Sequence, residues 1–504
     1  MELYNHFPLF IILLPMVLSL VMGFLRSEKA AICITLFVQI ILTILSVLLL
    51  ISLLNGSGKS FTYSLGYFPA PWGNELRAGP FEALMSCVFA LVMFFSVLGG
   101  AGDSVQDIHK GKIRYFYLMI NLLSASLMAL IFTNDIFSGY VFIEINTLAA
   151  CAIVVAKESG DTVKATIKYM FLSVLGSGLF FLSISFLYGI TGHLLMESAH
   201  NVIAELAAAG QYRLPLVMTL ALFSISLAVK SALFPFHAWL PDAHGYATTS
   251  ASAILSGIVL KGYIIMLIKM VSRVYGIEVV GMLGIMPALF TLGLVSMIAG
   301  SIFALMQKDI KRMIAYSSVA HIGYIFMGIG LNTAAGFAAA GYHLVAHAFT
   351  KSMLFIAVGP LMHTAGSGNI DGMRGVAKKN ALAGAAFVVG ALSLIGIPFF
   401  AGFPSKFYLA SAALLQEGQS AWIAVIVLVL STFLNALYYV PTLYKLYSGG
   451  GTPEIAEKTA ALPAGKGMKL LVAPALICLI VANIALGVVY VPLLDALERG
   501  FALL

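Results

Sequence analysis

Charge is what this 504-residue chain has least of: Asp, Glu, Lys and Arg make up 10% of it, against 61% hydrophobic residues. That balance excludes a soluble globular domain, which could not hide so much apolar surface. Cysteine is also scarce. Cys33, Cys87, Cys151 and Cys478 all lie in apolar runs without CxxC spacing, so a disulfide framework or thiolate metal site is not expected and they read as small core residues. A Walker A motif is absent, and with it direct ATP coupling. The longest polar stretches, Asn55 to Arg77, His193 to Arg213 and Ser448 to Gly467, are loop-sized. Any nucleotide site, redox cofactor or bond-making chemistry is therefore expected on other chains, and no cofactor or metal on this one.

What is present is a series of long apolar runs, each with the roughly 20 residues that cross a hydrocarbon core of about 30 Å. Fourteen can be marked off, from Phe7 to Leu25 through to Lys469 to Val491, which predicts an all-α polytopic membrane protein. The first run is too long, and too poor in preceding basic residues, for a cleaved leader, and should stay in the mature chain. The larger share of the 28 Lys and Arg, among them Arg26, Lys112, Lys157, Lys164, Lys311, Arg312, Lys378 and Lys379, falls on one side if the N-terminus is outside. Basic residues accumulate in cytoplasmic loops, so both termini are expected on the outer side. The net charge of +7 is then a topology signal, and no basic face for nucleic acid is visible.

Against this apolar background, Lys230, Lys261, Lys351 and Lys406 stand inside spans, and Glu144 reads as the one acid well inside another. A mid-bilayer charge costs about 2.5 to 3.5 kcal/mol on insertion scales, so such residues mark ion paths. Helix breakers sit beside two of them. Pro235, in KSALFPFHAWLPDAH, should free the carbonyl of Ser231 near Lys230; Pro398 and Pro404, in GIPFFAGFPSK, should free those of Leu394 and Phe400 before Lys406. Broken backbone at membrane depth persists only where protein or a wet cavity satisfies it. The bland reading makes the prolines ordinary kinks and lets lysines near helix ends snorkel to the interface, as Lys269 is expected to do.

The two interruptions, offset by five spans, suggest an internal duplication. An odd number of helices per repeat requires two inverted five-helix repeats, each with a Pro-interrupted helix. The expected division is residues 1–114 for three peripheral helices, 115–273 and 280–446 for the repeats, and 447–504 for a loop and the last helix.

In GYHLVAHAFTKSM, His343, His347 and Lys351 follow at steps of four and share a helix face, and His321 lies in YSSVAHIGY among hydroxyls. Such a row can relay protons through ordered water. The competing readings are neutral core histidines, zinc, which lacks a nearby carboxylate or thiolate, and haem between two helices. Glu144 needs a partner, and Lys230 is the preferred one: at ~5 Å and an effective dielectric near 20 the attraction is about 3 kcal/mol.

KSALFPFHAWLPDAH, DIKRMIAYSSVAHIGY, HAFTKSMLF and GFPSK, with Glu144 upstream, resemble the antiporter-like subunits of respiratory complex I, Mrp-type sodium/proton antiporters and membrane-bound energy-converting hydrogenases, from about Pro80 to Lys445. The resemblance implies two inverted repeats and proton movement along a central polar axis in a prokaryotic-type cytoplasmic membrane. Glu144 and Lys230 would form the acid and lysine pair, Lys261 the central lysine, and Lys406 the station toward the outer exit. His321, His343 and His347 would lie on the connecting water path, and the partners would be other membrane subunits, further antiporter-like ones included. GPFEAL at the third span and IEINTLAACAIV at the fifth depart from the family pattern, and a long C-terminal lateral helix is not seen. An Mrp-like antiporter or a ferredoxin-driven relative thus fits better than the longest complex I subunit. Lysines do not ligate sodium, which makes protons the expected cargo. The alternatives from other classes are a membrane redox chain holding haem or quinone, and a stand-alone transporter of an organic solute.

Overall fold

The computed structural model describes residues 3–55, 60–68, 73–416, 418–449 and 466–502. Residues 56–59 and 69–72 of the first expected loop, and 450–465 of the third, lie outside the described residues. Among the described residues, thirteen helices are long and apolar enough to span: Tyr4–Met22, Glu28–Asn55, Pro80–Asp107, Ile113–Phe132, Ile136–Val155, Gly160–Thr191, Arg213–Lys230, Thr249–Tyr275, Met286–Leu305, Ile310–Gly330, Ala334–Ala365, Gln419–Tyr447 and Leu471–Val488. The remaining expected span, the twelfth, is split into a shorter apolar helix, Ala381–Ile395, and a second piece, Gly402–Leu414.

Proline chemistry accounts for both interruptions. The seventh span ends as a helix at Lys230, and the chain resumes only as a 3-10 turn, Phe236–Trp239, and a short helix, Leu240–Tyr246. Each break holds a non-glycine residue in the left-handed region, Ala232 (φ 58°) and Phe399 (φ 75°), a conformation that surrounding structure must impose. The carbonyls released there find new donors. Asn435 Nδ2 reaches Leu394 O at 3.3 Å and Lys406 Nζ reaches Ile395 O at 2.9 Å, and Trp239 Nε1 joins the Ala232 amide on Val229 O at 3.2 Å, whereas the Phe400 carbonyl, expected to be freed by Pro404, keeps a backbone donor in Phe403 N at 3.1 Å.

The eighth, tenth and eleventh spans are almost wholly enclosed, whereas the second, sixth, thirteenth and fourteenth leave broad apolar faces outward. The ninth and tenth spans cross with their backbones nearly touching: a Cβ at Gly300 would meet Ala320 N at 2.5 Å, and one at Gly323 would meet Gly293 O at 2.6 Å. Small residues permit such approaches between membrane helices. The eighth span carries two π-helical stretches, Leu255–Val259 and Met270–Tyr275, the first just before Lys261.

Three elements were not legible as such. The first polar connection contains an antiparallel hairpin, Phe61–Ser64 with Glu75–Ala78. The second is an amphipathic helix, Met196–Ala208, and another, Val491–Ala502, follows the last span and sets Phe501 against Phe81, ring centroids 4.8 Å apart. Cys33 and Cys478 are exposed on outward faces, so only Cys87 and Cys151 fit the core reading. A thiol is apolar enough to tolerate either location.

Candidate functional site

The polar row begins at the fifth and seventh spans. Lys230 is fully buried, because the break after it leaves its stem packed inward rather than free to snorkel. Its Nζ lies 3.5 Å from Glu144 Oε1 and 3.1 Å from Thr147 Oγ1, and 5.6 Å from the centre of the Tyr263 ring. The Ser177 hydroxyl donates to the Glu144 carboxylate, and Thr147 and Tyr263 share a hydrogen bond of 3.2 Å. The Glu144 side chain is 29% exposed, so the carboxylate opens toward the molecule's side while the ammonium is closed in.

Lys261, fully buried in the eighth span, donates to the carbonyl of Ser256 within the π stretch, and the Ser256 hydroxyl meets that of Ser318 at 3.0 Å. A π turn shifts the backbone pairing and leaves such a carbonyl available. Beyond it stand the imidazoles. His321 and His343 stack with centroids 5.2 Å apart and planes 10° apart, and His347 lies 5.3 Å from His321. His321 Nδ1 faces His343 Nε2 at 3.2 Å, and His343 Nδ1 bonds Ser405 Oγ, next to Lys406. Tyr324 stacks on both His321 and His343. Lys406 Nζ reaches Thr432 Oγ1 at 2.9 Å as well as Ile395 O, and sits 5.2 Å from the centre of the Tyr324 ring. An ammonium on the carbonyl end of the half-helix Ala381–Ile395 is favoured by the helix dipole.

Lys351 follows the histidines along their helix but turns to the tenth span, donating to Ile314 O at 2.8 Å and to the Ser317 hydroxyl. Among the described residues Lys261, Lys351 and Lys406 have no carboxylate in ion-pair reach, so hydroxyls and carbonyls are their partners. Direct contacts are missing at two joints, between the Thr147 and Tyr263 pair and Lys261, and between Lys261 and His347. Both ring nitrogens of His347, and Nε2 of His321, are buried without a partner.

One expectation is corrected here. Lys269 does not snorkel: it is fully buried, and its ammonium caps the fourth helix, reaching the carbonyls of Leu130, Ile131 and Thr133 at 3.2, 2.7 and 2.6 Å. Orphan carbonyls at a helix end attract such a cation more strongly than the interface does. A second buried acid stands at a helix start rather than well inside a span. Glu82, in the first turn of the third, is 1% exposed and pairs with Arg273, while its Oε2 accepts from the Gly79 amide at 2.9 Å.

Other polar residues line the same interior. His244 lies in the quoted stretch KSALFPFHAWLPDAH, is buried, and has both ring nitrogens unpartnered. The thirteenth span adds a ladder: Tyr324 donates to Ser431 at 2.9 Å, Tyr438 donates to Asn435 at 2.6 Å, and Tyr439 meets Ser317 at 2.9 Å. The steps of four in STFLNALYYV were the available signal.

A membrane-spanning bundle with two broken helices, lysines set on freed or half-helix carbonyls, and stacked imidazoles between them has the build of an ion-translocating membrane subunit. Residues 133–434 match the family described as NADH:quinone oxidoreductase/Mrp antiporter, transmembrane, and the chain belongs to that family. It is 32% identical over 443 residues to NADH-quinone oxidoreductase subunit N of Desulforudis audaxviator, covering 87% of this chain and 85% of the relative. To the putative antiporter subunit mnhD2 of Staphylococcus aureus it is 29% identical over 442 residues, with the same coverage. Among solved structures, a chain of the archaeal membrane-bound sulfane sulfur reductase superposes with a TM-score of 0.84 at 25% identity, covering 98% of this chain and 97% of that one. A chain of the Mrp complex from Dietzia sp. shares the fold, with a TM-score of 0.86 at 22% identity over 100% of this chain and 97% of that one. This chain is accordingly an antiporter-like membrane subunit.

Proposed function

We propose that the subunit moves protons from the Glu144 and Lys230 pair to Lys261, through His347, His321 and His343, and on to Lys406, within a multisubunit ion-pumping complex. The observation that carries this reading is the stacked imidazole row, with its 3.2 Å nitrogen contact and its link through Ser405 to the neighbour of Lys406. A neighbouring subunit that disturbs Glu144 would loosen the pair, and the freed ammonium would repel a proton held at Lys261. Lys351 and its hydroxyl partners flank this route. Moving one charge across 100 mV takes about 2.3 kcal/mol, a size that local rearrangements of ion pairs can supply.

The partners in this reading are other membrane subunits, further antiporter-like ones included, as the multisubunit complexes among the similar structures suggest. The membrane is a prokaryotic-type cytoplasmic membrane, with both termini on the outer side, which the distribution of basic residues supports. Breaks five spans apart, each with a left-handed non-glycine residue, support two inverted five-helix repeats. Haem between the histidines is the competing reading, and imidazole nitrogens facing each other at 3.2 Å favour a shared proton over a macrocycle. We therefore propose that the chain holds no cofactor of its own.

The test replaces His343 with Phe, which keeps a ring in the stack and removes both nitrogens. In vesicles carrying the complete complex, proton movement should fall by at least about tenfold, the scale of a lost positioned proton carrier. An undiminished rate would remove the imidazoles from the route.

A further inference from the structure

A second set of polar groups follows the eleventh span beyond the histidine row. Lys351, Phe355, Gly359 and His363 stand there at successive steps of four, about 6 Å of rise each, and lead to the end that faces the cytoplasm in the topology proposed above. Side chains of other elements are packed against these steps. The buried ring of His244 lies 5.3 Å from that of Phe355. The Asp103 carboxylate, from the last turns of the third span, is so close to Gly359 that a Cβ there would meet its Oδ2 at 2.1 Å, and its Oδ1 lies 3.2 Å from His363 Nε2. The same Cβ would meet Thr249 Cγ2 at 3.2 Å, and two residues before Thr249 the Ala247 carbonyl accepts from Lys311. Asp103 and His244 thus flank one chain corner, about one helical turn apart along the eleventh span.

Exposure falls along this track. The His363 side chain is 40% exposed and that of Asp103 9%, whereas His244 is fully buried. Both ring nitrogens of His244 lack a partner among the described residues. A buried polar group left unpaired is costly, and at membrane depth it is met by protein or by water. Protein does not meet this imidazole, which offers one donor and one acceptor to a buried water. Charged groups stand at both ends. Asp107 and Lys157, paired at 3.2 Å, lie within charge–charge reach of His363, and Lys311, Lys351 and Lys261 lie within that of His244.

We propose that Asp103 and His363 form an inner mouth through which protons enter the subunit, with His244 holding the water that passes them to Lys351 and Lys261. The inference rests on the lysine route proposed above and gives it an entry separate from the Glu144 and Lys230 pair. A proton from cytoplasmic water binds Nδ1 of His363 as Nε2 releases its own to Asp103, which leaves the ring neutral. The Asp103 acid passes that proton through water to one nitrogen of His244, and its carboxylate is restored. The other nitrogen of His244 releases a proton toward the neutral amine of Lys351.

Asp103→Asn removes the charge while keeping the shape and an acceptor for His363, and His363→Gln removes the ring at a partly exposed site. In vesicles carrying the complete complex, each should slow proton movement by about tenfold or more without lowering the melting temperature. The double variant should be within about twofold of the slower single one, because both groups serve one step. His363→Ala should regain part of its rate from free histidine, which does not cross lipid, added at the cytoplasmic face and not from the same addition outside. A clasp that only ties the third span to the eleventh would give the opposite pattern: a lower melting temperature, an unchanged rate per assembled complex and no response to histidine. That pattern, wild-type transport by either single variant, or rescue from the outer face alone overturns the proposal. If Asp103→Asn does not assemble, His363→Gln decides: slowing by tenfold or more supports the mouth, and the wild-type rate counts against it. Lys261→Ala separates the two layers. Full activity in that variant sinks the lysine route itself, whereas an inactive Lys261→Ala beside fully active Asp103→Asn and His363→Gln sinks only the mouth.

Discussion

Glu144→Gln removes the charge facing Lys230 while keeping the shape and the hydrogen bond from Ser177. At 3.5 Å, Coulomb attraction is about 4.7 kcal/mol with an effective dielectric near 20 and about 1.2 kcal/mol in bulk water. The Glu144 side chain is 29% exposed and Lys230 fully buried, so the pair falls between these limits. At about 1.4 kcal/mol per factor of ten, the variant should lower the population of the charged, engaged Lys230 by roughly sevenfold to two-thousandfold. The assay is dye-reported proton movement in vesicles carrying the complete complex, with assembly checked by subunit content. The Gln variant should run at no more than about one-seventh of the wild-type rate, and Glu144→Asp, which keeps the charge, should lie between the two. A Gln variant at the wild-type rate in an assembled complex would refute the coupling of this pair to transport.

Glu82→Gln should act on stability rather than transport. It leaves Arg273 buried beside a neutral amide, and breaking a buried pair costs about 3–5 kcal/mol, so thermal denaturation in detergent should shift clearly downward while proton movement per assembled complex changes less than about twofold. Gly300→Val forces a side chain into the backbone of Ala320, where a Cβ alone would come within 2.5 Å of the amide nitrogen. Overpacking of this kind costs about 1–3 kcal/mol or more, and loss of the chain from the isolated complex is the expected readout.

The spans and both interruptions could be read from hydropathy and proline because those signals are local: twenty apolar residues make a span, and a proline ends a helix in any context. The lysines and histidines announced themselves by rarity. Lys269 carries no such local signal, because its capping carbonyls come from the fourth helix, more than 130 positions away in sequence. Glu82 at a helix start looks like an ordinary capping acid until Arg273 is brought to it by the fold. The π stretch before Lys261 has no proline or glycine signature strong enough to foretell it, and Asn146 and His244 show as unpartnered only once every neighbour is known. The Asn435 and Tyr439 ladder carries a periodic signal, but asparagine and tyrosine cost less in a membrane than lysine and so mark a site less sharply.

The central claim is that one buried row of amines and imidazoles carries protons across this subunit, with Lys261 at its middle. Lys261→Ala, measured as proton movement by the reconstituted complex with assembly verified, tests it most directly. The account predicts loss of nearly all movement through the subunit in a complex that still assembles; movement at the wild-type rate would contradict it.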